Sequence, residues 1–159
     1  MRITIHKVSN FRSEYTILRE DNSVEQITHE TKTYLVHDLC HFVVERALKL
    51  SNGFWGMLSQ GYSFNDLFGK ENPETTGLRA VEQLVGPIQS VYLNYISRQD
   101  FENNSEHLAY KIPSHLLTKC LTEIKKLMEE WEQLAIGQSL DMEWNKQDTI
   151  EQVENDSGG

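Results

Sequence analysis

His37-Asp38-Leu39-Cys40-His41-Phe42-Val43-Val44-Glu45 is where this chain changes period. With its neighbours it places Val36, Leu39, Cys40, Val43, Val44, Ala47, Leu48 and Leu50 at spacings of three and four. That spacing fills one broad arc of a helix near residues 35–51. Upstream the apolar residues alternate instead. Ile3 and Ile5 are separated by Thr4, Tyr15 and Ile17 by Thr16, and Val24 to Ile27 follow the polar turn Glu20-Asp21-Asn22-Ser23. Period two bounded by Asp and Asn predicts antiparallel strands near 2–8, 13–20 and 23–29. Three short strands need a helical layer over one face, so the fold class expected is α+β, a small N-terminal antiparallel sheet packed against a mostly helical C-terminal part.

Downstream of the helix, Thr33 is the expected N-cap and Asn52-Gly53 the expected stop. A short turn of helix follows from Phe54 to Gly61, and Ser63 with Asp66 has the spacing of a capping box. A long helix is predicted over 77–98, capped by Thr75 or Thr76 and carrying Leu78, Val81, Leu84, Val85, Ile88, Val91, Tyr95 and Ile96. Pro87 is expected to kink or break it, because proline lacks an N–H and collides with the carbonyl four residues back. Residues 99–112 read as a polar loop. The clearest element is the last helix, 114–136, with Leu117, Cys120, Leu121, Ile124, Leu127, Met128 and Trp131 on one stripe and Gly137 at its end.

The chain has 159 residues and a formal charge of −9, enough for one domain with a true core. Residues 138–159 hold six acids against Lys146 and few apolar anchors. The expected organisation is therefore a single domain over 1–137 and an acidic, largely disordered tail over 138–159, with Trp144 as its one anchor. The body is acidic too, and no Lys/Arg cluster interleaves with aromatics, which argues against a nucleic-acid partner. No apolar run approaches the ~20 residues that span a bilayer, and the N-terminal residues alternate rather than form a secretion signal. Cys40 and Cys120 both sit inside helical patterns, as buried reduced thiols would. A cytoplasmic protein without membrane contact is the expectation.

Two imidazoles one turn apart on a helix are the minimum of a helical metal site. At about 100° per residue, His41 lies roughly 40° from His37, Glu45 roughly 80° and Asp38 roughly 100°. This predicts a divalent metal such as zinc on His37 and His41, with Glu45 as third ligand or as the group orienting His41. Asp38 and Glu45 are the candidate catalytic bases. Glu82, His107 and His115 are the candidates for a distal ligand. The same stripe also fits two boundary histidines bonded to nearby carboxylates without any ion. Gly53-Phe54-Trp55-Gly56 sets two aromatics between glycines, which reads as a tight reversal plugging the core or, alternatively, as a pocket wall made by Phe54 and Trp55.

His37-Asp38-Leu39-Cys40-His41 is similar in spacing to the zinc-peptidase helix, with aspartate where that helix carries glutamate. Over residues 35–58 the chain resembles a group of small uncharacterised bacterial proteins. They share a His-Asp-Leu-x-His-Phe-x-Val-Glu helix followed by Gly-Phe-Trp-Gly, matched here by His37, Asp38, Leu39, His41, Phe42, Val44, Glu45, Gly53, Phe54, Trp55 and Gly56. That resemblance implies no activity or substrate. Two functional classes follow from the residues: a metal-site protein, conceivably a metal-dependent hydrolase, and a non-enzymatic interaction or scaffold protein. The second would use the apolar stripe of the last helix as a homodimer or partner surface, dividing Leu117, Leu121, Met128 and Trp131 between core and interface.

Overall fold

The computed structural model describes residues 1–68 and 76–145. In chain order it runs β1 (Arg2–Lys7), β2 (Arg12–Leu18), β3 (Val24–Glu30), α1 (Thr31–Ala47), α2 (Phe54–Ser59), α3 (Phe64–Phe68), α4 (Thr76–Tyr92), α5 (Arg98–Asn103), α6 (Ser114–Gln133) and β4 (Ser139–Glu143). The fold is α+β, with one antiparallel sheet of order β3-β2-β1-β4.

Alternation decides which face of the sheet is covered. On β1, Ile3 stands opposite Ile17 and Met142, and Ile5 opposite Tyr15 and Leu140. All six are buried beneath the helices. Thr4, Thr16, Gln26 and Asp141 take the other face, where Gln26 donates to Thr16 Oγ1 and Thr4 donates to Asp141 Oδ1. Helix α1 is the hub of the helical layer, in contact with the sheet, α2, α4 and α6. Leu39, Phe42, Val43 and Val44 are buried there, as the helical spacing requires.

The fourth strand corrects the expected domain boundary. Residues 139–143 are a β-strand rather than tail, and Trp144 behind them is buried against Phe42. Leu140, Met142 and Trp144 are a period-two signal that the acidic residues between them obscure, since Asp141 and Glu143 simply occupy the solvent face. Residues 146–159 lie outside the described residues.

Several boundaries also differ. Helix α1 begins at Thr31, directly out of β3, with Glu30 rather than Thr33 at its N-cap position. It ends at Leu48, where Lys49 takes the left-handed conformation (φ 55°) expected of Asn52 or Gly53. Helix α4 passes through Pro87 without a break and stops at Tyr92, leaving Tyr95 exposed. Its expected cap at Thr75 lies outside the described residues. Inside the expected polar loop, α5 is capped by Ser97, whose Oγ accepts from Asp100 N, and is anchored by buried Phe101. The Ser63–Asp66 box is present and reciprocal, at 2.8 and 3.0 Å. The stripe of α6 is largely used by the core: Leu117 and Trp131 are buried, and Leu121 and Met128 pack partly buried against it.

Candidate metal centre

His37 and His41 lie one turn apart on α1 and face Glu82 and Gln89 of α4. The outer nitrogen of each ring is engaged. His37 Nδ1 donates to Gln89 Oε1 at 2.6 Å, and His41 Nδ1 donates to Glu45 Oε2 at 2.7 Å. Those acceptors orient the rings, so both Nε2 atoms turn toward the Glu82 carboxylate. His41 Nε2 is 2.7 Å from Oε1, and His37 Nε2 is 3.3 Å from Oε1 and 3.1 Å from Oε2. One ligand atom from each of the three residues falls within a 4.8 Å span.

Zinc bonds of about 2.0–2.2 Å at tetrahedral angles hold donor atoms roughly 3.3–3.5 Å apart. The two His37 distances are close to that spacing, and the His41–Glu82 contact has only to open by well under an ångström. His37, His41 and Glu82 therefore form a group that could hold a metal ion. Three protein ligands would leave a fourth position of a tetrahedral ion open, and His37 and Glu82 are each partly exposed to solvent.

The electrostatics fit a cluster built around charge. Burial disfavours the His41 imidazolium, but hydrogen bonds to Glu45 and Glu82 outweigh it and raise its pKa to about 10. Burial likewise works against the Glu82 carboxylate, yet the two histidines hold its pKa well below the usual range. His37 is raised on balance, with desolvation opposed chiefly by the Glu82 hydrogen bond. A metal ion replacing these protons would meet two oriented imidazoles and an ionised carboxylate, the donor set of hard-to-borderline divalent cations.

Glu45 is not among the converging ligands. Its carboxylate is fully buried and accepts from His41 and from three consecutive amides, Phe54 N at 2.8 Å, Trp55 N at 3.0 Å and Gly56 N at 3.1 Å. It thus seals the N-terminus of α2 while orienting His41, which is the orienting role rather than the ligand or base role expected beside it. Asp38 also points away. Its Oδ2 accepts from Tyr15 Oη at 2.7 Å and lies 3.8 Å from His29 Nε2, beyond hydrogen-bond range, and that buried nitrogen has no other partner among the described residues. Burial raises the Asp38 pKa to about 6 despite the Tyr15 bond. Neither carboxylate is placed to serve as base to a metal-bound water.

Phe54 and Trp55 are buried. Phe54 packs 6.1 Å from the His41 ring, and Trp55 Nε1 donates to the Asp38 carbonyl at 2.8 Å. They form the floor under His41 rather than a pocket wall. His107 and His115 take no part in the group. Cys40 and Cys120 are free and buried, and burial pushes their thiols up to about 12 and about 11, so neither is an activated nucleophile. Sequence reasoning passed over Gln89. Its signal is the polar pair Glu82 and Gln89, two turns apart on an otherwise apolar helix face.

Comparison with protein-family models, with curated proteins and with solved structures gave no match.

Proposed function

We propose that this is a small metal-binding protein in which His37, His41 and Glu82 hold one divalent ion such as zinc, and that its open coordination position serves hydrolysis. The observation that supports this reading is the convergence that the double Nδ1 anchoring produces. Glu45 and Gln89 each fix one imidazole so that both Nε2 atoms converge on a carboxylate from a second helix. Outer acceptors also satisfy buried histidines that hold no ion, so what favours the metal reading is the convergence of both Nε2 atoms on one carboxylate. The ion would polarise an acyl or phosphoryl oxygen and acidify its bound water. With Asp38 and Glu45 engaged elsewhere, the ion itself carries the activation of water in this reading.

We also propose that the resemblance over residues 35–58 reflects the same hub, because its motif includes His41, Glu45 and the Gly53–Gly56 amides that Glu45 binds. Two free buried thiols fit the reducing cytoplasm as its compartment. Among the described residues no helix is long and apolar enough to cross a membrane. The alternative is an interaction or scaffold protein, favoured by Phe11 and Tyr95, each about three-quarters exposed. Sedimentation at micromolar concentration tests its homodimeric form, which a strict monomer refutes.

The decisive experiment is metal analysis of tag-free protein purified without added metal. About one equivalent is expected in the wild type, with loss in both Glu82→Gln and the His37→Ala/His41→Ala double variant. Equal, substoichiometric metal in all three samples refutes the site.

A further inference from the structure

Helix α4 uses one side for the metal group and leaves another side over a separate cavity. At about 100° per residue, Gln83 and Pro87 are turned roughly 100° and 140° from Glu82. There, with α5 and the segment that follows it, they line a cavity of about 500 Å³. Small-molecule sites commonly measure about 300–1,000 Å³, are mostly apolar, and carry a few convergent polar groups. The body of this cavity fits that description: Pro87, Ile96, Phe101 and Leu108 supply its apolar lining.

Its polar lining is Gln83, Asp100, Asn104, Ser105 and His107, neutral donors and acceptors around one carboxylate. Pro87 lies inside α4 and has no N–H, so the Gln83 carbonyl loses the donor that the fourth residue along would supply. Gln83 and Pro87 both line the cavity. Asp100 is the only formal charge among the lining residues, and its backbone amide is already satisfied by Ser97. A carboxylate and a carbonyl without its helical donor both call for hydrogen atoms, and the carboxylate calls for positive charge as well. The chain's net charge of −9 attracts cations and repels anions over longer range.

We propose that the α4–α5 cavity binds a small organic cation, an alkylammonium carried on a flat apolar or aromatic body. The ring system fills the space between Phe101, Leu108, Ile96 and Pro87. The ammonium donates to the Asp100 carboxylate and the Gln83 carbonyl. Affinity comes from the apolar body and selectivity from the charge.

The test uses three isosteric probes with the full chain at neutral pH and low salt: tryptamine, tryptophol and indole-3-acetate. Binding is followed by amide chemical shifts in two-dimensional NMR. Tryptamine is expected to bind tightest and indole-3-acetate weakest, with shifts concentrated at residues 83–88 and 96–108. Asp100→Asn should weaken tryptamine about tenfold, the scale of one charged hydrogen bond, and leave tryptophol unchanged. Ser105→Phe, which fills the cavity, should abolish binding of all three while the rest of the spectrum stays native. Affinity should be the same with and without a chelator, which separates this site from the metal centre. Equal affinities for the three probes, no binding at millimolar concentration, tryptamine binding unmoved by Asp100→Asn, or shifts centred on Glu82 would each overturn the proposal.

Discussion

Replacing Gly53 by alanine tests the Glu45 hub directly. A Cβ at residue 53 would overlap the Glu45 carboxylate carbon and lie 2.6 Å from its Cγ. The backbone there is extended (φ −88°, ψ −171°), so any residue can adopt it and the whole cost is steric. Glu45 is fully buried and cannot swing into water. Relieving the overlap means pulling its carboxylate off the Phe54, Trp55 and Gly56 amides, off His41, or both. Hydrogen bonds to a charged group contribute about 1.5–3 kcal/mol each, and overpacking costs about 1–3 kcal/mol. Losing one or two bonds together with the overpacking gives an expected destabilisation of about 2.5–9 kcal/mol. Metal affinity should fall about 10–100-fold as His41 loses its orienting partner. The assay is guanidinium unfolding in a double-mutant cycle with Glu45→Ala, which removes the atoms that clash. Gly53→Ala should cost less than about 1 kcal/mol in that background. An equal cost in both backgrounds would refute the reasoning, because the penalty could not then arise at Glu45.

Val43→Ala should destabilise by about 2–4 kcal/mol through the cavity it leaves in the α1 core, and a negligible loss of the denaturation midpoint would contradict the register. Asp38 keeps its proton to about pH 6 in the fold, whereas an unfolded aspartate releases it near pH 4. The folded chain binds more protons between those values, so this residue lowers stability as pH rises from about 4 to 6 and the deficit persists above. Asp38→Asn should therefore flatten that part of the stability–pH curve and gain about 2–3 kcal/mol at neutral pH, tested by unfolding at the two ends of the window. His41 has the opposite sense. Its raised pKa gives metal-free protein stability that is fully present below the ordinary histidine range and is lost as pH rises toward about 10, a decline that Glu82→Gln should reduce in chelator-treated samples. Deleting 146–159 should move the thermal midpoint by less than about 2 °C because that acidic stretch carries few apolar anchors. Deleting 138–159 should unfold the chain, since Leu140, Met142 and Trp144 leave the core.

What could be read from the sequence followed from periodicity. The three N-terminal strands, α1 and α6 are built from apolar residues whose spacing alone dictates a covered face, and Ser63 with Asp66 capped α3 as its pattern required. The fourth strand was hidden because Asp141 and Glu143 make the segment look like solvated tail. Its alternation with Leu140, Met142 and Trp144 becomes meaningful only once β1 offers an edge. In the candidate centre, His37 and His41 were legible as an i, i+4 pair. The choice between Glu45 and Glu82 was not, because helical phase says which residues share a face and not what a second helix brings to it. Gly53 and Gly56 announced a close approach. That the Glu45 carboxylate approaches Gly53 and the Leu50–Ser51 backbone approaches Gly56 depends on where α2 begins.

The strand order has a consequence for synthesis. β1, the first of these four strands to be made, is flanked in the finished sheet by β2, which follows at once, and by β4, made more than 130 residues later. Until Ser139–Glu143 leave the ribosome, one side of β1 has unpaired amides and carbonyls beside the uncovered side chains of Ile3 and Ile5. Such an edge invites pairing with another nascent chain. A polysome on which synthesis stalls before Leu140 should thus yield aggregates, and a permuted gene that begins at β4 and runs on into β1 should fold with fewer losses. Such a result would make the order of translation, and not only the final energy, a determinant of how much of the product becomes native.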